Sequence, residues 1–171
     1  MQGQRDIPLN DRGRRQAERN GRVLKGLIGQ ANWAVAHSPL SRASETMEII
    51  LNSGVSARSV RQEDDLREIA YGAFEGMTHR EINQQFPDQM AERKADKWNF
   101  VVPDGESYSG LSKRTWAFLE TLNEPTLIVA HGGVMRVILQ RLLNMPETEA
   151  TGLHPPQNQI LSIAPSGSVL L

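Results

Sequence analysis

Cysteine is absent from the 171 residues, which excludes disulfides, thiolate metal sites and cysteine nucleophiles. Neither sign of charge is in excess. Nineteen Lys and Arg stand against 20 Asp and Glu, for a net charge of -1, so no basic surplus points to nucleic acid and no acidic tail points to disorder. Apolar stretches such as Thr126 to Ala130 are far shorter than a membrane span. The opening Met1-Gln2-Gly3-Gln4-Arg5-Asp6 has no apolar segment of the signal-peptide kind. Internal repeats and low-complexity linkers are missing as well. The expectation is a single domain over 1–171, large enough for a real core, in the cytoplasm, with neither nucleic acid nor membrane as a partner.

Several chemistries are missing too. No G-x-x-x-x-G-K-[ST] loop occurs, and no G-x-G-x-x-G follows a strand, so a nucleotide site of those kinds is not expected. No serine sits in a G-x-S-x-G elbow. No two histidines share one helix at ligand spacing, and carboxylates do not cluster, so neither metal nor cofactor is expected.

What is present alternates between helix and strand patterns. Asn10 can cap a helix with Ala17, Leu24, Leu27 and Ile28 on one face. Trp33 to His37 reads as a short buried strand, broken by Ser38-Pro39. A helix from Ser41 carries Ala43, Met47, Ile50 and Leu51 as one stripe. Residues 53–76 are polar and irregular, with a short strand around Val60. Thr78 and Glu81 form a capping box, and Pro87 stops that helix. A further helical piece spans Asp88 to Trp98, and Pro103-Asp104-Gly105 is a turn. Ser107 caps a helix with the stripe Leu111, Thr115, Phe118, Leu119 and Leu122. Thr126 to His131 is a buried strand, turned by Gly132-Gly133 into a helix from Val134 to Asn144. Gln159 to Ala164 and Ser168 to Leu171 read as strands joined by Pro165-Ser166-Gly167. This alternation predicts a three-layer α/β/α sandwich around a mostly parallel sheet. The first element is nonetheless a helix that feeds a buried strand. Such a helix is normally a crossover between two parallel strands, so a strand before residue 1 would complete the unit.

Ligands of open α/β sheets bind beyond the carboxyl ends of the strands. Two junctions there suit a phosphate. In Ser38-Pro39-Leu40-Ser41-Arg42, the Arg42 guanidinium can grip a phosphate by paired hydrogen bonds, beside the free N–H groups of a helix N-terminus. The same spacing also fits a surface arginine on a solvated face. In His131-Gly132-Gly133, a histidine ends an apolar strand and needs a partner, while the glycines admit close backbone approach. A satisfied core histidine with a glycine turn fits equally well. Between them in sequence, Leu66-Arg67-Glu68-Ile69-Ala70-Tyr71-Gly72-Ala73-Phe74-Glu75-Gly76 threads apolar residues through turns. Packing Leu66, Ile69 and Phe74 inward can hold Glu68 over a site as a general acid. Alternatively, Glu68 is a solvated loop carboxylate. His37 belongs either near the site or to strand packing, His79 faces solvent in its capping box, and His154 lies in a loop.

In order and spacing these segments resemble the histidine phosphatase superfamily, the phosphoglycerate-mutase-like proteins of branch 1. The resemblance is carried by Gln2-Gly3, Asp6-Ile7-Pro8-Leu9, Gly13 to Ala17, Ser38 to Ala43 with Thr46, and Leu66 to Gly76. It is completed by Gly105-Glu106-Ser107 and Val129 to Gly133. Phe74 stands where tryptophan is common. The resemblance implies a metal-independent phosphatase working through a phosphohistidine. It implies Arg42 as phosphate clamp, His131 as the second, charge-stabilising histidine and Glu68 as acid/base, with Gln2, Gly3 and Gly132 on the substrate side. The partner so implied is a small phosphorylated substrate or inorganic phosphate, and the compact chain favours a phosphatase over a mutase.

One departure stands out. The family's nucleophile lies in an Arg-His-Gly motif ahead of the Gln-Gly loop, and none of the four histidines occupies such a motif. The expectation is a chain shortened before that motif and its strand, inactive as given, and either poorly stable alone or associated as a homo-oligomer through the open strand edge. A phospho-ligand-binding or regulatory protein without turnover is the alternative. Residues 88–102, with Trp98 and Phe100, are expected to cover the leaving-group side.

Overall fold

The protein, as a computed structural model, is described for residues 1–164 and 167–170. Asn10 Oδ1 accepts the Gly13 N–H and starts α1 (Asp11–Ile28). Along that helix Ala17 and Leu24 are buried, whereas Leu27, predicted on the inner stripe, is 54% exposed. The chain continues through β1 (Trp33–His37), α2 (Ser41–Asn52) and β2 (Ala57–Gln62). Then come two single turns of 3-10 helix at Asp64–Leu66 and Gly72–Phe74. The capping box of Thr78 and Glu81 opens α3 (His79–Gln85), which gives way at Phe86 to α4 (Pro87–Ala95). Ser107 caps α5 (Tyr108–Leu119), followed by β3 (Thr126–Val129), α6 (Gly132–Leu142) and the short α7 (Glu147–Ala150), which the sequence pattern did not predict. β4 (Leu161–Ala164) and β5 (Gly167–Leu170) end the description.

β1 lies between β2 and β3, parallel to both, with Ala34 opposite Thr126 and His37 opposite Val129. Side-chain alternation on these strands makes the layers. Val35, Leu127 and Val129 enter a core with Leu24, Ala43, Met47 and Ile50 of α1 and α2. Ala36 and Ile128 enter the opposite core with Leu111 and Phe118 of α5 and Val134, Val137 and Ile138 of α6. Because β1 is buried on both faces, its sequence is continuously apolar from Ala34 to Ala36.

β4 and β5 pair with each other, antiparallel, as a separate two-stranded sheet. They do not extend the parallel one. Of the predicted turn between them, Pro165 and Ser166 lie outside the described residues, as does Leu171. Among the described residues no strand pairs with β3 on the side away from β1. No helix there is long and apolar enough to cross a membrane.

Candidate active site

The six residues singled out from the sequence, Gln2, Gly3, Arg42, Glu68, His131 and Gly132, line one cavity of about 360 Å³ at the carboxyl ends of β1 and β3. Each arrives by a separate local device.

Ser38 prolongs the pairing of β1 with β3 by donating its N–H to the Val129 carbonyl at 3.0 Å, and it is fully buried. Pro39 then turns the chain into α2, which puts Arg42 in the first helical turn. The half-buried guanidinium donates from Nη1 to the Arg5 carbonyl at 3.0 Å and from Nη2 to the Gly3 carbonyl at 2.8 Å, which pins the N-terminal loop over the cavity. Two of its five N–H donors are spent in this way. Gly3 itself has φ +57, a conformation that favours glycine, and a side chain there would overlap the Glu75 carboxylate.

His131 ends the β3 segment in extended conformation, as the cap residue of α6. Its Nε2 shares a 2.7 Å hydrogen bond with Ser38 Oγ, so the partly buried histidine has the partner that the end of an apolar strand demands. Burial foremost, then the positive charges of Arg42 and Arg114, push its pKa down to about 3. The imidazole is therefore neutral at neutral pH while the cavity holds no anion.

Leu66, Ile69 and Phe74 are buried, and the loop they anchor carries Glu68 into the cavity. Glu68 Oε1 accepts the N–H groups of Gly133 at 3.0 Å and Ile69 at 2.9 Å. A Cβ at Gly133 would overlap Oε1, which explains why the second glycine of the pair has no side chain. This corrects one expectation. The helix N-termini do not offer these amides to a ligand: Gly133 N–H is taken by Glu68, and Ser41 N–H by Asp6 Oδ1 at 2.7 Å.

The sequence reading missed the group that sets the Glu68 loop. Arg114 of α5 reaches over it, donating to the carbonyls of Asp65 at 2.5 Å, Arg67 at 2.9 Å and Glu68 at 3.2 Å. It also pairs with Glu106, Nη2 to Oε1 at 2.6 Å, and Glu106 in turn accepts the Ala70 N–H at 3.0 Å. The only sequence signal was an arginine eight residues after Glu106, which is too weak to separate from a solvated helix face. Gln4 was missed as well, and its side-chain amide donates to the Glu68 carbonyl at 3.0 Å. Replacing Arg114 by methionine strands three carbonyls and a carboxylate at once, and is expected to cost about 3 kcal/mol of unfolding free energy. Urea denaturation measures it, and a loss under about 0.5 kcal/mol would refute the stapling role.

The remaining histidines stay out of the cavity. His37 is buried, with Nδ1 2.9 Å from the Ser38 carbonyl, while His79 and His154 are exposed. Among the described residues no three His, Asp or Glu side chains converge on a metal-sized point.

An arginine, a neutral and partly buried histidine and a backbone-anchored carboxylate thus surround one polar cavity at the edge of an α/β sheet. The model of the histidine phosphatase superfamily, branch 1, matches residues 1–168, and the chain belongs to that family. An uncharacterized phosphatase of Bacillus subtilis, PhoE, is 33% identical over 89% of this chain and 74% of its own length. The 6-phosphofructo-2-kinase/fructose-2,6-bisphosphatase of Gallus gallus is 31% identical over 94% of this chain. The chain spans about a third of the length of that bifunctional relative, at 33%. Among solved structures, the alpha-ribazole phosphatase of Shigella flexneri superposes with a TM-score of 0.81 at 25% identity, over 100% of this chain and 86% of that one.

Proposed function

We propose that the cavity receives the phosphoryl group of a small phosphomonoester and serves phosphatase chemistry. The observation that supports this reading best is the convergence of Arg42, Glu68 and His131 on one cavity from three distant stretches of chain. Arg42 keeps three N–H donors for phosphoryl oxygens. His131 loses its reason to stay neutral when a dianion enters, takes up a proton and becomes the second cation on the phosphoryl group. Glu68 is the proton donor to the leaving alcohol and then the base that draws a proton from water. Gln2, Gly3 and Gly132 form the walls. In the family's mechanism the nucleophile is a histidine in an Arg-His-Gly motif, and the cytoplasm is the expected compartment.

His131 is the one histidine lining this cavity among the described residues, and it is assigned to charge stabilisation rather than attack. The 171-residue chain is therefore expected to bind inorganic phosphate but to hydrolyse p-nitrophenyl phosphate no faster than background. Turnover by the pure chain that disappears in His131→Ala would overturn this assignment. The same observation favours a second reading, a phospho-ligand-binding protein without turnover. Assaying a chain that carries an Arg-His-Gly strand ahead of Met1 separates the two. Hydrolysis with an acid-labile phosphohistidine supports the enzyme, and its absence supports the binding protein.

A further inference from the structure

We infer that the outward face of α1 docks an acidic amphipathic helix of a partner protein, whose carboxylates meet the guanidinium groups of Arg12, Arg15, Arg19 and Arg22. None of these arginines lines the cavity, so the inference stands apart from the phosphomonoester reading.

What α1 buries fixes how it is rolled about its axis. Ala17, Gly21 and Leu24 face inward, at spacings of four and three. Leu24 enters the core with Val35, Met47 and Ile50. A Cβ at Gly21 would overlap the Ser53 side chain and come within 3.2 Å of the Ile50 backbone, so a bare glycine lets α1 lie close on α2. The opposite face is thereby turned to solvent. Arg12, Arg15, Arg19 and Arg22 recur on it at three, four and three, and all four are exposed. At 3.6 residues per turn they fall within about 80° of one another, along about 15 Å of helix. Six cations and only two acids, Asp11 and Glu18, occupy this helix, in a chain whose net charge is -1.

The chain itself does not compensate the stripe. Arg14, on the flank beside α2, pairs with Glu45 at 2.6 Å and with Asp11 at 3.2 Å. Among the described residues, none of the four outward arginines takes part in an ion pair. Like charges at i, i+3 and i, i+4 destabilise a helix, and Arg12 in the first turn opposes the helix dipole. The stripe therefore works against the helix that carries it, and an anionic partner turns that repulsion into attraction. All four are arginines, and a flat guanidinium takes a carboxylate by two parallel hydrogen bonds, which a lysine cannot do.

The neighbours of the stripe indicate the kind of partner. Val23 and Leu27, one turn apart at its side, are 39% and 54% exposed. An aliphatic pair at i, i+4 suits the apolar edge of a second helix. Surfaces for single-stranded nucleic acid add aromatic side chains on which bases stack, and α1 has none. A helix lying in a membrane surface turns its apolar face outward, whereas the apolar face of α1 is spent on its own core. An acidic helix carries carboxylates in the same rhythm of three and four, so one rigid segment meets all four arginines.

Fluorescence anisotropy at pH 7 and about 0.1 M salt tests this on the 171-residue chain. The probe is a labelled helical peptide with Glu at i, i+3, i+7 and i+10 and two Leu one turn apart beside them. Its control is an isomer of the same composition with the carboxylates scattered around the helix. The patterned peptide is expected to bind at least about tenfold tighter than the isomer, as four exposed guanidinium–carboxylate pairs together allow. Replacing all four arginines by glutamine, which keeps helix propensity, is expected to weaken the patterned peptide at least about tenfold. Circular dichroism checks folding. If that variant does not fold, Arg15→Gln with Arg22→Gln decides, with an expected loss of at least about threefold. A smaller preference or a smaller loss overturns the inference and leaves the stripe as a solvated face. Tighter binding of single-stranded RNA or of phosphatidylserine vesicles than of the patterned peptide overturns it too, and assigns the stripe to phosphates.

Discussion

Replacing Arg42 by methionine is expected to weaken inorganic phosphate binding about a hundredfold or more. The stem of methionine keeps the packing at the start of α2 and removes the charge. Hydrogen bonds to charged groups contribute about 1.5–3 kcal/mol each, and two lost from one guanidinium correspond to at least about two decades in affinity. At an intermediate dielectric a single charge at 4 Å acts on the anion with about 4 kcal/mol, which points to the same scale. Because the guanidinium also holds the carbonyls of Gly3 and Arg5, loosening of the N-terminal loop must be separated from loss of the clamp. Asp6→Ala does so, since Asp6 ties the same loop to the Ser41 N–H while lying outside the cavity lining. It is expected to weaken phosphate by less than about fivefold, the range of one exposed hydrogen bond. A loss below about threefold in Arg42→Met, measured by calorimetry, would remove Arg42 from the phosphate site.

Acid is expected to destabilise the ligand-free protein through His131. Its folded pKa of about 3 lies below the unfolded value of 6.5. Between those two pH values the unfolded chain binds the proton and the folded chain does not. Stability therefore falls as pH drops through that window, and the contribution is intact only above pH 6.5. By pH 4 the loss from this one group amounts to about 3 kcal/mol, a large share of a typical domain's 5–15 kcal/mol. His131→Gln, whose amide reaches the place of Nε2 beside Ser38 Oγ without titrating, is expected to lose much less stability between pH 7 and pH 4. Saturating phosphate is expected to raise stability at each of these pH values, because a ligand that binds only the folded chain stabilises it. Denaturation series at pH 7, 5.5 and 4 measure all three. Parallel curves for the unsubstituted chain and His131→Gln would show that the imidazole is not held neutral.

Much of this architecture was legible in the chain itself, because it depends on near neighbours. A capping side chain acts on an amide three residues away, so Asn10, Thr78 and Ser107 located their helices to within a residue. The apolar run from Ala34 to Ala36, bounded by Ser38-Pro39, gave a strand buried on both faces. The order of short motifs pointed to the six cavity residues before any geometry was at hand.

What depends on residues distant in sequence was not legible. The sequence could not tell that Glu68 occupies the amide of Gly133, or that Asp6 occupies that of Ser41, since these partners are 65 and 35 residues apart. The neutrality of His131 follows from its burial and from two arginines, Arg42 and Arg114, that approach it only in the folded chain. The stapling of the Glu68 loop by Arg114 arises the same way, since that arginine reaches carbonyls 46 to 49 residues away in sequence. Periodicity and capping are properties of consecutive residues. Protonation state and the partners of charged side chains are properties of groups brought together in space, and those only the tertiary structure decided.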